Sequence, residues 1–301
     1  MSLLVTGSVG IDTVSSPYGA AESVLGGSAV YFAFAASLYV PVRLVAVVGD
    51  DFPKEYTRAL ESREIDLAGL EVRKGSRTFR WSGRYGEDMN DRQTVDVSLN
   101  VLAEAGPTIP PSFVDSDIVF LANTHPTQQR ELLSQIDSPK LVVCDTMNLW
   151  IDNERESLLR TLSVVAGVII NDAEARQLTT LRNLIEAGEK ILALGPRFVI
   201  IKKGEHGALL VTAEGTTAVP AFPSKAVRDP TGAGDSFAGG LLGYLAEQGR
   251  DDVDALRRAL VHGTVGASFV IEDFSLDRVK CLKRAQIDRR VKQFLTMLRF
   301  D

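Results

Sequence analysis

The sequence predicts an α/β fold in three layers, with a mainly parallel central sheet between helices and a small β-sheet appendage. Two observations carry this. Short, continuous apolar runs rich in β-branched residues alternate with helical patterns along most of the chain. Strands buried on both faces of a parallel sheet read in this way. The second observation is one stretch that breaks the rhythm. In "RTFRWSGRYGEDMNDRQTVDVSLNV", Phe79, Trp81 and Tyr85 alternate with polar residues, and after a Gly-containing turn so do Val95, Val97 and Leu99. Period-two alternation on both sides of a turn describes a hairpin with one apolar face. Such a face covers either a partner chain or a cleft.

Taken in order, "LLVTGSVG" reads as a buried strand and "SAVYFAFAASLY" as a helix of small residues. "RLVAVVG" is a second strand, and "DFPKEYTRALESR" an amphipathic helix. "DIVFLAN", "KLVVCD", "AGVIIN" and "RFVIIKKG" are further strands, the first three each followed by a helix and the last by a turn and strand, "GEHGALL". A helix begins near residue 233, another covers "DALRRALVHGTVGASFVI", and "KRAQIDRRVK" is the solvated face of a last one. No repeat or linker divides the 301 residues, so one domain over 1–301 is expected.

Composition narrows the function. The chain is 45% hydrophobic with a formal charge of −6, which speaks against a nucleic-acid binder and its basic patch. The longest near-apolar run, "AVYFAFAASLYVPV", is too short to span a bilayer, so no membrane partner is expected. Cys144 and Cys281 stand alone, and three histidines show no metal spacing. A reducing cytoplasm is the expected compartment.

The chemistry concentrates in "VRDPTGAGDSFAGG", residues 227–240. It is neither a P-loop nor a GxGxxG fingerprint, because Phe237 stands where the third glycine belongs. Gly232, Ala233 and Gly234 nevertheless fall at a helix N-terminus, where unpaired N–H groups and the helix dipole attract an anion. Asp235 follows in the first turn. It is either a dipole-complementing cap or a general base that takes a proton from a hydroxyl attacking phosphorus.

"DPTGAGDSFAGG" closely resembles the C-terminal signature of the ribokinase (PfkB) family of carbohydrate and nucleoside kinases. The resemblance implies a ribokinase-like sandwich, Asp235 as catalytic base, and an anion hole from the backbone of Gly232, Ala233 and Gly234. "LGGSAVYFAFAAS" is similar to the N-terminal signature, with Gly26 and Gly27 approaching substrate hydroxyls. The frequent asparagine four residues past the second glycine is here Tyr31. Asp12 matches an early aspartate that binds substrate hydroxyls; an Asx turn is the alternative. Asp50 and Asp51 of "VVGDDF" read as turn and cap residues.

The "NDAEA" segment resembles the family's Asn-x-x-Glu pattern, implying that Asn171 and Glu174 hold water around Mg2+; the alternative is a capping box. "IIKKGEHGALL" is similar to the nucleotide-pocket segment, with Gly204 approaching the nucleotide and Lys202, or its neighbour Lys203, reaching phosphate. His262 borders adenine on this reading, or is a plain helix histidine. Asp229 and Thr231 match positions that hold a monovalent cation, K+, in some members. "CDTMNLW" sits where relatives show Asp-x-Asn-x-Arg, but Asn148 is one position late and no arginine follows.

The resemblance therefore implies an ATP-dependent carbohydrate kinase acting on a small polyol. Arg80 and Trp81 of the hairpin would contact substrate, with a lid drawn from about 12–24 and 71–100. A homodimer through paired lids follows from the same likeness. A nucleoside or inositol kinase is the alternative within the family, and a non-catalytic sugar- or nucleotide-binding regulator the rival from another class.

Overall fold

The computed structural model describes residues 1–90 and 92–299. Residue 91 of the expected lid and residues 300 and 301 of the expected domain lie outside them. The chain opens with strands β1 (Leu3–Thr6), β2 (Gly10–Ser16) and β3 (Gly19–Gly26), then helix α1 (Ser28–Ala36) and β4 (Val42–Gly49). Helix α2 (Lys54–Glu61) leads to β5 (Ile65–Arg73), β6 (Phe79–Tyr85) and β7 (Arg92–Ser98). Next come β8 (Ile118–Leu121), α3 (Pro126–Leu133), β9 (Leu141–Cys144), α4 (Asn148–Asn153) and α5 (Arg155–Leu162). They are followed by β10 (Gly167–Asn171), α6 (Asp172–Thr179), α7 (Leu184–Leu192) and β11 (Phe198–Lys202). The last elements are β12 (Ala208–Thr212), β13 (Gly215–Val219), α8 (Ala233–Gln248), α9 (Val253–Val270) and α10 (Arg284–Met297).

Nine strands form the main sheet in the order β13-β12-β11-β10-β9-β8-β1-β4-β5. From β11 to β5 every pair is parallel; β12 and β13 add an antiparallel edge. Alternation along each strand feeds two cores. Leu3, Val5, Ile118, Phe120 and Ile169 join one, and Leu4, Val119, Leu121, Val168 and Ile170 the other. Burial on both faces is why these strands read as continuous apolar runs. The strand order reverses between β1 and β8, and ligands of open α/β sheets bind beyond the strand C-termini at such a point.

Helix α8 packs into the first core between α1 and α9 at close range. A Cβ on Gly239 would lie 2.3 Å from the Phe32 carbonyl oxygen, and one on Gly240 2.8 Å from that of His262. The closing glycines of the Gly-rich run thus seat the helix, while the earlier ones belong to the site.

A second sheet, ordered β3-β2-β6-β7, forms the lid. The expected hairpin is β6 and β7, and it docks on β2 in parallel, so the small sheet is mixed. Its β7 edge exposes Val95, Val97 and Leu99. Among the described residues no helix is long and apolar enough to cross a membrane.

Candidate active site

Helix α8 begins where Gly232 turns the chain into the left-handed region (φ 74°). Glycine is required there twice over, since a Cβ would also fall 2.2 Å from the Tyr31 ring. The Ala233 N–H donates to the Pro230 carbonyl (3.1 Å), and the Ser236 N–H to that of Gly232 (2.8 Å). This corrects the expected anion hole: Ala233 spends its N–H within the turn, and the groups without a partner among the described residues are those of Gly232, Gly234 and Asp235.

Asp235 is half-buried in the first turn of α8. Burial first, then the nearby Asp145 carboxylate, pushes its carboxyl up to about 7, against the pull of Lys202 and Arg92. Lys202 ends β11 with its ammonium beside Gly234, where a Cβ would lie 2.9 Å from Nζ. Burial works against its charge, but Asp145, Glu174 and Asp235 together hold it cationic. A fixed positive charge therefore stands next to free N–H groups and an acid poised near neutrality.

Across the cleft, Asp12 sits on β2 and is only 3% exposed. Its Oδ1 is buried without a hydrogen-bond partner, and burial raises the carboxyl to about 7. A buried, unpaired carboxylate oxygen costs stability unless a ligand satisfies it. Gly26 makes room for it, because a Cβ there would lie 1.9 Å from Asp12 Oδ2. Gly27 has φ 104° and abuts the Ser8 carbonyl, so it shapes the turn into α1.

Tyr31, aligned with the missing asparagine, is buried under the Gly-rich loop with its ring against Gly232. Its hydroxyl has no partner, and burial with Asp12 and Asp229 nearby holds the phenol protonated. Asn171 and Glu174 form the capping box of α6: the Glu174 N–H donates to Asn171 Oδ1 and the Asn171 N–H to Glu174 Oε2, each at 2.8 Å. Glu174 Oε1 is left over, and burial raises the carboxyl to about 7. Gly204 lies in the turn after β11 at φ 53°, against Asn90 of the lid, whose Oδ1 would be 2.5 Å from a Cβ.

Three expected contacts meet other partners in the structure. Arg80 pairs with Asp51 at 2.9 Å. It alternates with Trp81, and Trp81 shares a register position with Asp12, so one strand cannot turn both toward substrate. The arginine on the cleft side is Arg92, opposite Tyr85 on β7. Its guanidinium lies over the Trp81 ring at 5.2 Å, and its charge is felt at Asp12, Asp235 and Glu174. His262, expected beside adenine, is enclosed among side chains of the helical layer. It is stacked on Tyr244 (4.0 Å) and bonded to Tyr39 (3.0 Å) inside the helical layer, where burial lowers its pKa to about 4. Asp229 and Thr231 are also spent locally. The Asp229 oxygens accept from the Thr231 and Ser275 N–H groups, and Thr231 Oγ1 donates to the Tyr85 hydroxyl.

The sequence profile of pfkB family carbohydrate kinases matches residues 120–272, which include β8 through the Gly-rich turn and α9. A cytidine kinase of Thermococcus kodakarensis is 32% identical over 269 residues, 86% of this chain and 94% of that one. The chain belongs to the PfkB family. A 2-dehydro-3-deoxygluconokinase of Thermoproteus tenax is 28% identical over 83% of this chain and 80% of its own length. The nucleoside kinase of Burkholderia thailandensis, solved with inosine, superposes with a TM-score of 0.80 at 21% identity, over 98% of this chain and 99% of that one. The PfkB assignment makes this protein an ATP-dependent kinase with a ribokinase-like fold.

Arg92, Tyr85 and Asp145 were missed by the sequence reading. Alternation alone would put Gln93 opposite Tyr85; a register shift between Ser82 and Gly83 brings Arg92 there instead. Asp145 reaches Lys202 across two strands, and no local pattern marks that contact.

Proposed function

We propose that this kinase transfers the γ-phosphoryl group of ATP to a ribose hydroxyl of a nucleoside. The observation that carries the reaction is the clustering of Asp235, Lys202 and the free Gly234 N–H at the start of α8. Asp235 Oδ takes the proton of the acceptor hydroxyl as its oxygen bonds to the γ-phosphorus and the bond to the β,γ-bridging oxygen breaks; ADP leaves. Lys202 and the unpaired N–H groups stabilise the charge spreading over the transferred oxygens. A base with a pKa near 7 is matched to this task, because near neutral pH about half of it is ionised while it is still basic enough to take the proton.

Asp12 would accept from two substrate hydroxyls, satisfying its orphaned oxygen. Gly26 and Gly27 keep the backbone close to those hydroxyls, and Tyr31 supports the anion hole from below. Trp81, with Arg92 on its ring, offers a stacking surface for a planar base. The nucleoside reading is supported by that surface and by similarity to the Thermococcus kodakarensis cytidine kinase over most of both chains. The family description as carbohydrate kinases and the likeness to a 2-dehydro-3-deoxygluconokinase favour the second reading, a free sugar or sugar acid.

Mg2+ arriving with the nucleotide would be held through water by Glu174 Oε1, with Asn171 fixing that carboxylate through the capping box, and would neutralise phosphate charge. K+ at Asp229 and Thr231 would have to rely on backbone carbonyls, given the engagements of both side chains. The exposed apolar edge of β7 supports a homodimer through the lid.

An ADP-release panel of ribonucleosides, free pentoses, hexoses, sugar acids and inositol tests the assignment, with Asp235→Asn as control. Turnover of nucleosides is expected. Turnover of sugars alone would transfer the assignment to the second reading.

A further inference from the structure

Asp145 lies just past the C-terminal end of β9 and takes no part in the scheme above. Its side chain is 8% exposed, and Oδ2 stands 3.6 Å from Lys202 Nζ. The position of the carboxylate is fixed from both sides. Oδ1 accepts the Thr146 N–H at 2.8 Å, and the Asp145 carbonyl accepts from Gln129 Nε2 at 3.0 Å. The same amide nitrogen donates to the carbonyls of Leu121 and Ala122, each at 3.1 Å, tying the ends of β8 and β9 together. Lysine, in contrast, ends in a freely rotating point charge on a four-carbon stem. Without an anchor, its ammonium would sample positions away from Gly234.

We propose that Asp145 is a positioning residue for phosphoryl transfer: it holds the Lys202 ammonium over the free N–H groups of α8 and so couples the anion hole to the β9 end of the sheet. The inference rests on the reading that Lys202 contacts the nucleotide phosphates. Two features argue for a tuned arrangement over an incidental ion pair. Lys202 is half-buried with its ammonium 3.6 Å from one carboxylate while the charges of Glu174 and Asp235 also reach it, so an untethered lysine would have competing partners. The tether also comes from the strand on the far side of β10, and its root is held by one bond from Gln129 to the Asp145 carbonyl and one from the Asp145 N–H to the Leu121 carbonyl.

The groups that bear on Asp235 are Asp145, Lys202, Arg92 and Asp12; those on Lys202 are Asp145, Glu174 and Asp235. Removing the Asp145 charge relieves repulsion at Asp235 and leaves more of the Lys202 charge to it. Both changes lower the pKa of the base.

The test is a double-mutant cycle with Asp145→Asn and Lys202→Met, read as KM for ATP and as the pH profile of kcat/KM. Lys202→Met is expected to raise KM for ATP about 10-fold or more, as loss of a charged hydrogen-bond donor does. Asp145→Asn alone should raise it several-fold and move the acid limb of kcat/KM to lower pH. In the Lys202→Met background it should change KM for ATP less than about 2-fold, because residues acting through one another are not additive. An equal rise in both backgrounds, or an unmoved acid limb, overturns the positioning role while leaving Lys202 as a phosphate contact. No effect of Lys202→Met on KM would instead sink the phosphate contact and the inference with it. Should Asp145→Asn fail to fold, Asp145→Glu keeps the charge and displaces it by one methylene. It should raise KM for ATP only when Lys202 is present, and additivity would again refute the claim.

Discussion

Asp12→Asn should make the ligand-free protein more stable at pH 8, and the gain should vanish on acidification. In the folded protein this carboxyl titrates near 7, because burial opposes its charge; in the unfolded chain it titrates near 3.8. A raised carboxylate pKa contributes stability fully present below the unfolded value and lost as pH rises through the folded one. The window therefore runs from about pH 4 to about pH 7. The separation of about 3 units, at ~1.4 kcal/mol each, gives on the order of 4 kcal/mol as the ceiling for replacing the charge with a neutral isostere. The Asp12 side chain is almost wholly enclosed, so solvent screening takes little from that figure. Urea unfolding of both proteins from pH 4.5 to 8.5, without substrate or nucleotide, measures it. The curves should converge near pH 4 and part by about 2–4 kcal/mol at pH 8, scaled from the same shift. A pH-independent difference, or a variant less stable than wild type at pH 8, would refute the claim that Asp12 is a desolvated carboxylate waiting for hydroxyl donors. Activity should move the opposite way, with KM for the acceptor rising.

Three other outcomes follow from the site. Asp235→Asn should lower kcat by about 10²–10⁴ while titration calorimetry shows ATP still binding, and wild-type kcat/KM should fall as pH drops below about 7, where the base becomes protonated. Gly232→Ala should destabilise the protein by about 2 kcal/mol or more, since it combines a left-handed backbone with a Cβ inside the Tyr31 ring; in a Tyr31→Ala background, itself destabilised by the lost ring, the added cost of Gly232→Ala in thermal unfolding should shrink. Arg92→Ala should raise KM for the acceptor several-fold with little change in melting temperature. Arg80→Ala should leave acceptor KM unchanged, because its partner is Asp51.

Most of the architecture was legible because sheet and helix declare themselves locally. A strand buried on both faces must be apolar throughout, and Val168–Ile170 and Val199–Ile201 could be recognised on that ground alone. The start of α8 was legible for the same reason: Gly232 needs its backbone angle, and Asp235 sits one turn on. Side-chain direction on the lid was harder. Arg80 and Trp81 are neighbours in sequence, yet the pleat sends them to opposite faces, and the register that brings Arg92 to the cleft is set by pairing across a turn. His262 failed for another reason. Its helix was recognised, but the partners that enclose it, Tyr39 and Tyr244, come from the turn after α1 and from α8. Asp145 depends on Lys202, two strands away in the sheet. Contacts of that range are written in topology and not in spacing.

The lid turn has its own consequence. Asn90 rests against Gly204, so a segment rooted in the acceptor half touches the loop on the donor half. The bare Cα of Gly204 is what lets the two halves meet: a side chain there would strike Asn90 Oδ1 and lever the lid turn off the donor loop.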